Sequence, residues 1–229
     1  FSSDILFSTF IPPFFLMASR SSFINMFSCL FKGQSKPPMY GDYEAQRHWM
    51  EITLNLPVSD WYRNTTNNDL QYWGLDYPPL TAYHKYLFLR AQYINPDWVR
   101  LYKSRGYESY YHKLFMRYTG KYNGISLGLA VLAVACLGSE LQMIGAALFT
   151  LALNYKQMEL YHAMPFFTYL LGKCYKAGLF EIIKIGITVI ITFLLCWSPF
   201  LTSVESAKQV LTRLFPFNRG LYEVNVTLY

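Results

Sequence analysis

The sequence predicts an all-α membrane protein in which a large polar region lies between apolar stretches. Only 15% of its 229 residues are charged and 53% are hydrophobic, whereas about 25% are charged in typical soluble domains. Aromatic residues make up 19% of the chain, which suits repeated contact with membrane interfaces. The formal net charge is +6, but the Lys and Arg residues are scattered and form no dense basic run. We therefore expect no nucleic-acid partner.

The first stretch, residues 1–31, predicts an N-terminal membrane segment of irregular form. Pro12 and Pro13 lie inside its apolar part, and Arg20 interrupts it. Because an arginine in mid-span costs about 2.5 kcal/mol or more, this stretch is either one poor helix or an interfacial pair of pieces. Residues 32–121 then carry most of the charge of the chain. They predict a large extramembrane loop with short helices.

Residues 122–204 predict the transmembrane region. Between residues 125 and 153, Glu140 is the one charged residue. This part is therefore either two short helices that meet near residues 138–140, which we favour, or one long tilted helix.

Two further apolar runs follow in this region. Residues 163–172 are too short to cross a membrane alone. Residues 185–201 contain no charge and end at an aromatic interface with a proline, which predicts a transmembrane helix. Residues 205–229 are mixed in composition and predict the start of a following loop.

The densest polar cluster lies at residues 40–49. On a helix that begins near Asp42, this acid lies in the first turn, where the helix dipole favours it, and Arg47 can lie one turn away from Tyr43 or Glu44. One interpretation is a helix cap with a solvated polar face. The other is a general base for sugar transfer, because a carboxylate beside aromatic rings at a hydrophobic boundary has a tunable pKa. Glu44 and His48 could share a metal, but no third ligand at a recognisable spacing accompanies them.

Aromatic rings and an acid also occur together in residues 71–80. Paired prolines hold this backbone extended, while Trp73 and Tyr77 offer flat faces beside Asp76. Flat aromatic faces beside a carboxylate are typical of sites that bind carbohydrate. An interfacial aromatic belt explains it equally well.

Cations near the predicted membrane boundaries form the remaining candidates. Arg105 and Arg117 could meet phosphate, or they could only determine topology. Lys156 and His162 flank Glu159 at three-residue spacing on one helical face. Ionisable groups beside a membrane segment suggest function, although a simple interfacial ion pair explains them as well.

Several long runs resemble the dolichyl-phosphate-glucose-dependent glucosyltransferases of the endoplasmic reticulum, which add the terminal glucoses to the lipid-linked oligosaccharide of N-glycosylation. The resemblance extends over residues 37–223. It rests on YGDYEAQRHWME (40–51), LPVS (56–59), LQYWGLDYPPL (70–80), SRGYES (104–109), HKLFMR (112–117), NYKQMELYHAMP (154–165) and LFPFNRG (214–220). The runs WGLDYPP and NYKQMELYH resemble the sequences of the family branch that adds the first glucose.

The resemblance implies a multi-span transferase of the GT-C type, with residues 32–121 as a lumenal catalytic loop. The donor would be dolichyl-phosphate glucose and the acceptor Man9GlcNAc2 on dolichyl pyrophosphate, joined in α-1,3 linkage with inversion. Asp42 matches the family's catalytic base. The implied chemistry needs no nucleotide, no obligatory metal and no other cofactor, because the lipid phosphate is already activated.

We add candidate substrate contacts from charge and placement around this base. Arg105, Arg117, Lys156 and His162 are candidates for phosphate, and Trp73, Asp76 and Tyr77 for the sugar or the lipid head. Glu44 and Arg47 flank the base and complete the predicted substrate-binding set, which is Glu44, Arg47, Trp73, Asp76, Tyr77, Arg105, Arg117, Lys156 and His162.

The chain departs from the family pattern after residue 117. The family continues there through several further spans, whereas here Tyr118 and Thr119 run straight into GKYNG (120–124). The sequence therefore predicts a missing internal stretch and a truncated or internally deleted form. The alternative function is a catalytically inactive membrane fragment that binds only a dolichol lipid or a partner.

Overall fold

The structure, a computed structural model, describes residues 37–87, 93–119 and 122–215. The regular elements in these ranges are helical, as predicted. The predicted membrane segment at residues 1–31 lies outside the described residues. The α-helices are α1 (Asp42–Asn55), α2 (Pro79–Tyr86), α3 (Tyr110–Thr119), α4 (Tyr122–Gly138), α5 (Gln142–Tyr155), α6 (Ala163–Ala177), α7 (Leu179–Trp197) and α8 (Val204–Leu214).

Local sequence determines where α1 begins and ends. Gly41 precedes the helix with φ 78° and ψ −172°, a backbone conformation that is essentially restricted to glycine. The helix stops at Asn55 because Leu56 stands before Pro57 and adopts an extended conformation. The first residue of α2 is Pro79, which needs no hydrogen bond for its nitrogen at that position.

The polar region folds around α1, as the sequence predicts for a loop with short helices. One face of α1 packs in a hydrophobic core with α2, α8 and the residues between them. Another face packs against α3 and the preceding loop. The first core includes Trp49, Trp61, Leu75, Ala82, Phe200 and Val210, and the second includes Tyr43, Met50, Trp98, Val99 and Met116.

The apolar part of the chain forms four helices, α4 to α7. α4 and α5 are separate helices joined by a turn at Glu140, which has φ 62°, so the prediction of two short helices is confirmed. Leu137, Phe149 and Phe166 form a core between α4, α5 and α6. Lys173 at the end of α6 forms an ion pair with Glu140 in the turn.

One helix in the described residues is long and apolar enough to cross a membrane, at Leu179–Phe200. It contains most of the predicted span 185–201 but begins six residues before it. The earlier start is possible because Lys184 Nζ and Glu181 Oε1 form an ion pair at 2.7 Å in the first turns. The apolar helix at Asn123–Gly138 is shorter.

Hydrogen bonds join the polar region to one end of the apolar helices. The hydroxyl of Tyr83 on α2 donates to the carbonyl of Cys196 on α7 at 2.9 Å, and Thr81 donates to the carbonyl of Tyr155 on α5. Trp197 Nε1 donates to Asn154 Oδ1 at 2.7 Å. The C-terminal ends of α5 and α7 therefore lie together beneath α2.

Candidate functional site

Asp42 lies in the first turn of α1 with an exposed side chain. The amide groups of Glu44 and Ala45 already bond to the carbonyl of Gly41. The carboxylate thus stands at the positive end of the helix dipole. The predicted helix start at this acid is confirmed, but the interpretation as a helix cap is wrong, because Gly41 holds the cap position and no side chain caps the helix.

A fully buried ionic network follows Asp42 along α1. Arg47 Nη2 lies 2.6 Å from Glu44 Oε1 and Arg47 Nη1 lies 2.6 Å from Glu51 Oε2. His48 Nδ1 lies 3.3 Å from Glu51 Oε2. Glu44, Arg47, His48 and Glu51 are at most 2% exposed. The prediction that Arg47 lies beside Glu44 is confirmed, but the interpretation as a solvated face is wrong because the protein covers it.

The same network accounts for the carboxylates and histidine considered as metal ligands. Glu44 pairs with Arg47, and His48 contacts Glu51 instead of Glu44. Within the described residues, no group of three or more His, Cys, Asp and Glu side chains could hold a metal ion.

Tyr72 and Arg105 cover the network on one side. The Tyr72 hydroxyl donates to Glu44 Oε1 at 2.8 Å, and the guanidinium carbon of Arg105 lies 4.1 Å from the centre of the Tyr72 ring. The next residue, Gly106, approaches Tyr40 so closely that an added Cβ would lie 2.7 Å from Tyr40 Cζ. The exposed Arg105 is thereby held near the start of α1.

Tyr77 brings four of the predicted site residues into one neighbourhood. Burial raises the pKa of Tyr77, and the negative charges of Asp76 and Asp42 raise it further. Lys156 Nζ lies 6.0 Å from the centre of the Tyr77 ring, and the Trp49 ring packs on the tyrosine at a centroid distance of 5.0 Å. Two carboxylates thus act on the pKa of Tyr77, and the ammonium group of Lys156 lies near its ring.

The polar residues after α5 lie beside this cluster. Lys156 Nζ donates to Asn123 Oδ1 at the start of α4. His162 is exposed, and its Nδ1 lies 2.9 Å from Glu159 Oε2. Ser126 donates to the other carboxylate oxygen of Glu159 at 2.8 Å. The predicted contact between Glu159 and His162 is confirmed, and it occurs in a 3-10 helix, Gln157–His162.

Two other predicted residues have different surroundings. The indole N–H of Trp73 donates to the carbonyl of Met39 at 2.5 Å, so it holds the segment that leads into α1. Arg117 lies in the last turn of α3 and is partly exposed.

Sequence reasoning missed the residues that hold the site together, mainly Glu51, Trp49, Asn123 and Gln157. Glu44, Arg47, His48 and Glu51 are spaced by three, four and seven positions, which places them on one helical face. That spacing could have indicated a paired ionic face. No comparable signal exists for Asn123 or Gln157, because they act across long sequence distances.

Fold and site together define the class. The described part of the chain is a helical protein that combines a candidate membrane span with a folded polar region, in which Asp42 is exposed and Lys156 lies near Tyr77. The ALG6, ALG8 glycosyltransferase family matches the chain over residues 16–120 and 121–227. The chain belongs to this family.

Individual relatives agree with the family match. Dolichyl pyrophosphate Man9GlcNAc2 alpha-1,3-glucosyltransferase of Gallus gallus is 48% identical over 250 residues, which cover 86% of this chain and 49% of the relative. The protein of the same name from Rattus norvegicus is 49% identical over the same shares. A probable enzyme of this name from Drosophila melanogaster is 44% identical over 279 residues, which cover 98% of the chain and 57% of the relative. The chain spans about half the length of the curated relatives it matches.

The comparisons also support the prediction of a missing internal stretch. The alignment with the Gallus gallus protein runs over 250 positions, although the chain has only 229 residues. The relative therefore carries residues that this chain lacks. The family match is divided between residues 120 and 121, where the sequence departs from the family pattern.

Proposed function

We propose that this chain transfers glucose from dolichyl-phosphate glucose to Man9GlcNAc2 on dolichyl pyrophosphate, in α-1,3 linkage with inversion. The observation that carries the proposal is the exposed carboxylate of Asp42 at the start of α1. Its charge and that of Asp76 raise the pKa of Tyr77, and Lys156 Nζ at the end of α5 lies 6.0 Å from the centre of the Tyr77 ring. Family membership supplies the reaction class. The protein would be a multi-pass protein of the endoplasmic reticulum membrane with its polar region in the lumen.

In this proposal Asp42 is the general base. Its exposed carboxylate takes the proton from the acceptor hydroxyl as that oxygen attacks the anomeric carbon of glucose. The bond from the anomeric carbon to the phosphate oxygen breaks, and dolichyl phosphate leaves with the electron pair. Trp73, Asp76 and Tyr77 contact the sugar or the lipid head, since the Tyr77 ring offers a flat face and Asp76 an acceptor for hydroxyl groups.

The cations in and around the cluster would stabilise the charge that develops on the leaving phosphate. Lys156 has the best position, because its ammonium group lies near Tyr77 and at the end of the apolar helix α5. Arg105 lies beside the start of α1, where its stacking on Tyr72 restricts its guanidinium. His162 and Arg117 are further phosphate candidates.

A groove between α5, α6 and α7 supports a lipid-linked donor. Its volume is about 420 Å³, and its lining is almost wholly apolar, with Phe149, Leu153, Phe166, Ile185 and Phe193 among the residues. Leu153 lies three residues before Lys156, so the groove leads towards the cluster. A polyprenyl tail in the groove would place its phosphate near that lysine.

Glu44 and Arg47 fit this proposal as supporting residues better than as direct substrate contacts. Both side chains are buried, and they are paired with each other. Their bonds to Tyr72 and to the carbonyl of Trp98 tie α1 to the rest of the polar region. They would therefore hold Asp42 in place.

The second candidate is a chain that binds dolichol lipid or a partner but does not catalyse transfer. The specific observation in its favour is that the aligned relative carries residues that this chain lacks. In this candidate function, the residues that the chain lacks are needed to complete the acceptor site.

The deciding experiment measures transfer of labelled glucose in membranes that contain this chain and lack the host enzyme. We expect transfer in the wild type and its loss in Asp42→Asn. Asp97→Asn is the matched control, since Asp97 is an exposed acid of the polar region that pairs with Arg100. Transfer that survives in Asp42→Asn would reject Asp42 as base. Binding of dolichyl-phosphate glucose without any transfer would favour the second candidate.

A further inference from the structure

Five consecutive backbone carbonyls in residues 73–77 each accept a hydrogen bond from a side chain of another part of the fold. Trp49 Nε1 on α1 donates to the Trp73 carbonyl at 2.9 Å, and the Tyr62 hydroxyl donates to the Tyr77 carbonyl at 2.6 Å. Gln157 Nε2, just after α5, donates to the Asp76 carbonyl at 3.1 Å. The two carbonyls between them bond to a single side chain on α8.

That side chain is Arg213. Its Nη2 donates to the Gly74 carbonyl at 3.0 Å and its Nε donates to the Leu75 carbonyl at 3.3 Å. The approach is close, because a Cβ added to Gly74 would lie 2.7 Å from Arg213 Nη2. A guanidinium is planar and holds its N–H donors in a fixed arrangement, which suits two adjacent carbonyl acceptors. A lysine ammonium can replace only part of this pair of hydrogen bonds.

Residues 73–77 need such external bonds because they belong to no helix or strand. Trp73 also has φ 48°, a conformation that a residue other than glycine keeps only when its surroundings impose it. The segment ends in Asp76 and Tyr77, which are proposed contacts of the sugar or the lipid head. Its donors therefore determine where these two side chains lie.

We propose that Arg213 is a positioning residue, which fixes the backbone of residues 74 and 75 and thereby fixes where Asp76 and Tyr77 lie in the proposed site. The expected effect on glucose transfer rests on the proposed function. The expected effect on the backbone of residues 73–77 rests on the hydrogen bonds alone. It couples α8, which follows the candidate membrane span, to the sugar-binding part of the site. Loss of the two hydrogen bonds from Arg213 would displace residues 73–77 without removing any group that touches substrate.

The competing explanation is that Arg213 only docks α8 onto the polar region. Gln209 provides the matched control, because it lies one turn earlier on α8 and its Oε1 accepts from Arg63 Nε at 3.0 Å. Gln209→Met removes a docking bond of the same helix and leaves the bonds to residues 73–77 untouched. Val210 and Leu214 keep α8 in the core in every variant.

The experiment compares the full chain with Arg213→Met, Arg213→Lys and Gln209→Met. The first measurement is chymotrypsin cleavage after Tyr72, Trp73 and Leu75 in detergent, followed by mass spectrometry. We expect at least fivefold faster cleavage of this segment in Arg213→Met, wild-type cleavage in Gln209→Met and an intermediate rate in Arg213→Lys. Equal cleavage in Arg213→Met and the wild type would overturn the proposal.

The second measurement is glucose transfer at varied dolichyl-phosphate-glucose concentration. We expect Arg213→Met to lower kcat about tenfold or more with a much smaller change in KM, because misplaced groups cost rate. Arg213→Lys should restore part of the rate. Equal losses in Gln209→Met and Arg213→Met would mean docking alone and would overturn the proposal. If the wild type transfers no glucose, the proposed function fails, while the cleavage result still decides whether Arg213 fixes the segment.

Discussion

At the scale of single residues, the most consequential feature is the arginine between two glutamates in the interior of the polar region. Arg47 is fully buried and pairs with Glu44 and Glu51 at 2.6 Å each. A buried charge triad of this kind contributes little net stability compared with an apolar core, but removal of one partner leaves charges without compensation. The integrity of α1 behind Asp42 therefore depends on Arg47.

Arg47→Met should lower the free energy of unfolding by about 3–5 kcal/mol, because it leaves two buried carboxylates without their cation. Arg100→Met is the control, since Arg100 and its partner Asp97 are both more than half exposed and such pairs contribute about 1 kcal/mol or less. Denaturant unfolding in detergent measures both variants. Equal losses would contradict a special role for the buried triad.

His112 is a second residue with a measurable signature. Burial lowers its pKa from the ordinary 6.5 to about 3, and the positive charges of Arg47 and Lys85 contribute. In the unfolded chain this histidine takes up a proton below about pH 6.5, whereas the folded protein does not. Stability should therefore decrease as the pH falls from about 6.5 towards 3.

The expected slope is at most about 1.4 kcal/mol per pH unit for this one group. His112→Gln should reduce the slope between pH 6.5 and 4.5, because glutamine does not titrate but can still accept a bond from Tyr43. The free energy of unfolding at several pH values provides the measurement.

At the scale of elements, α4 and α5 approach each other closely at Gly145. A Cβ there would lie 2.7 Å from Leu137 Cδ2 and 3.1 Å from the carbonyl oxygen of Ala133. At Gly128, on α4, an added Cβ would meet no heavy atom within 4 Å. The two glycines thus differ in packing although both lie in apolar helices.

Gly145→Ala should destabilise the protein by about 1–3 kcal/mol, the usual range for overpacking. Gly128→Ala is the matched control and should leave the melting temperature unchanged or slightly raised, since alanine favours a helix. Thermal unfolding in detergent distinguishes the two variants. A wild-type melting temperature in Gly145→Ala would show that α4 and α5 are not closely packed at this point.

The elements were largely predictable from sequence, but their assembly was not. Uncharged runs predicted the apolar helices, and the glycine, serine and acid near residue 140 predicted the break between α4 and α5. The start of α7 was placed too late because the ion pair between Glu181 and Lys184 neutralises charges that appear isolated in sequence. For the same reason the burial of Glu44 and Arg47 was missed. Arg213 could not be connected to Gly74, since nothing local reports a contact between residues 139 positions apart.

At the scale of the whole molecule, the apolar helices have two chemically different ends. One end carries the polar region, with Lys156 and His162. The other end carries the turn at Glu140 and the connection from α6 to α7, where Lys173, Lys176 and Lys184 occur within twelve residues. Short loops rich in lysine face the cytoplasm in membrane proteins. This asymmetry supports a lumenal position for the polar region.

That orientation predicts a modification at Asn64, which begins the glycosylation acceptor pattern Asn64-Thr65-Thr66 and is exposed. A second acceptor pattern begins at Asn225, so the test uses an Asn225→Gln background. In cells this chain should carry one glycan at Asn64, so that peptide N-glycosidase increases its gel mobility, and Asn64→Gln should abolish this shift. Asn67→Gln is the control, because Asn67 is also exposed but begins no acceptor pattern. In sealed microsomes the polar region should also resist added trypsin until detergent opens the vesicles. Cleavage in intact vesicles together with an unmodified Asn64 would place the polar region in the cytoplasm, which would exclude the proposed lumenal reaction.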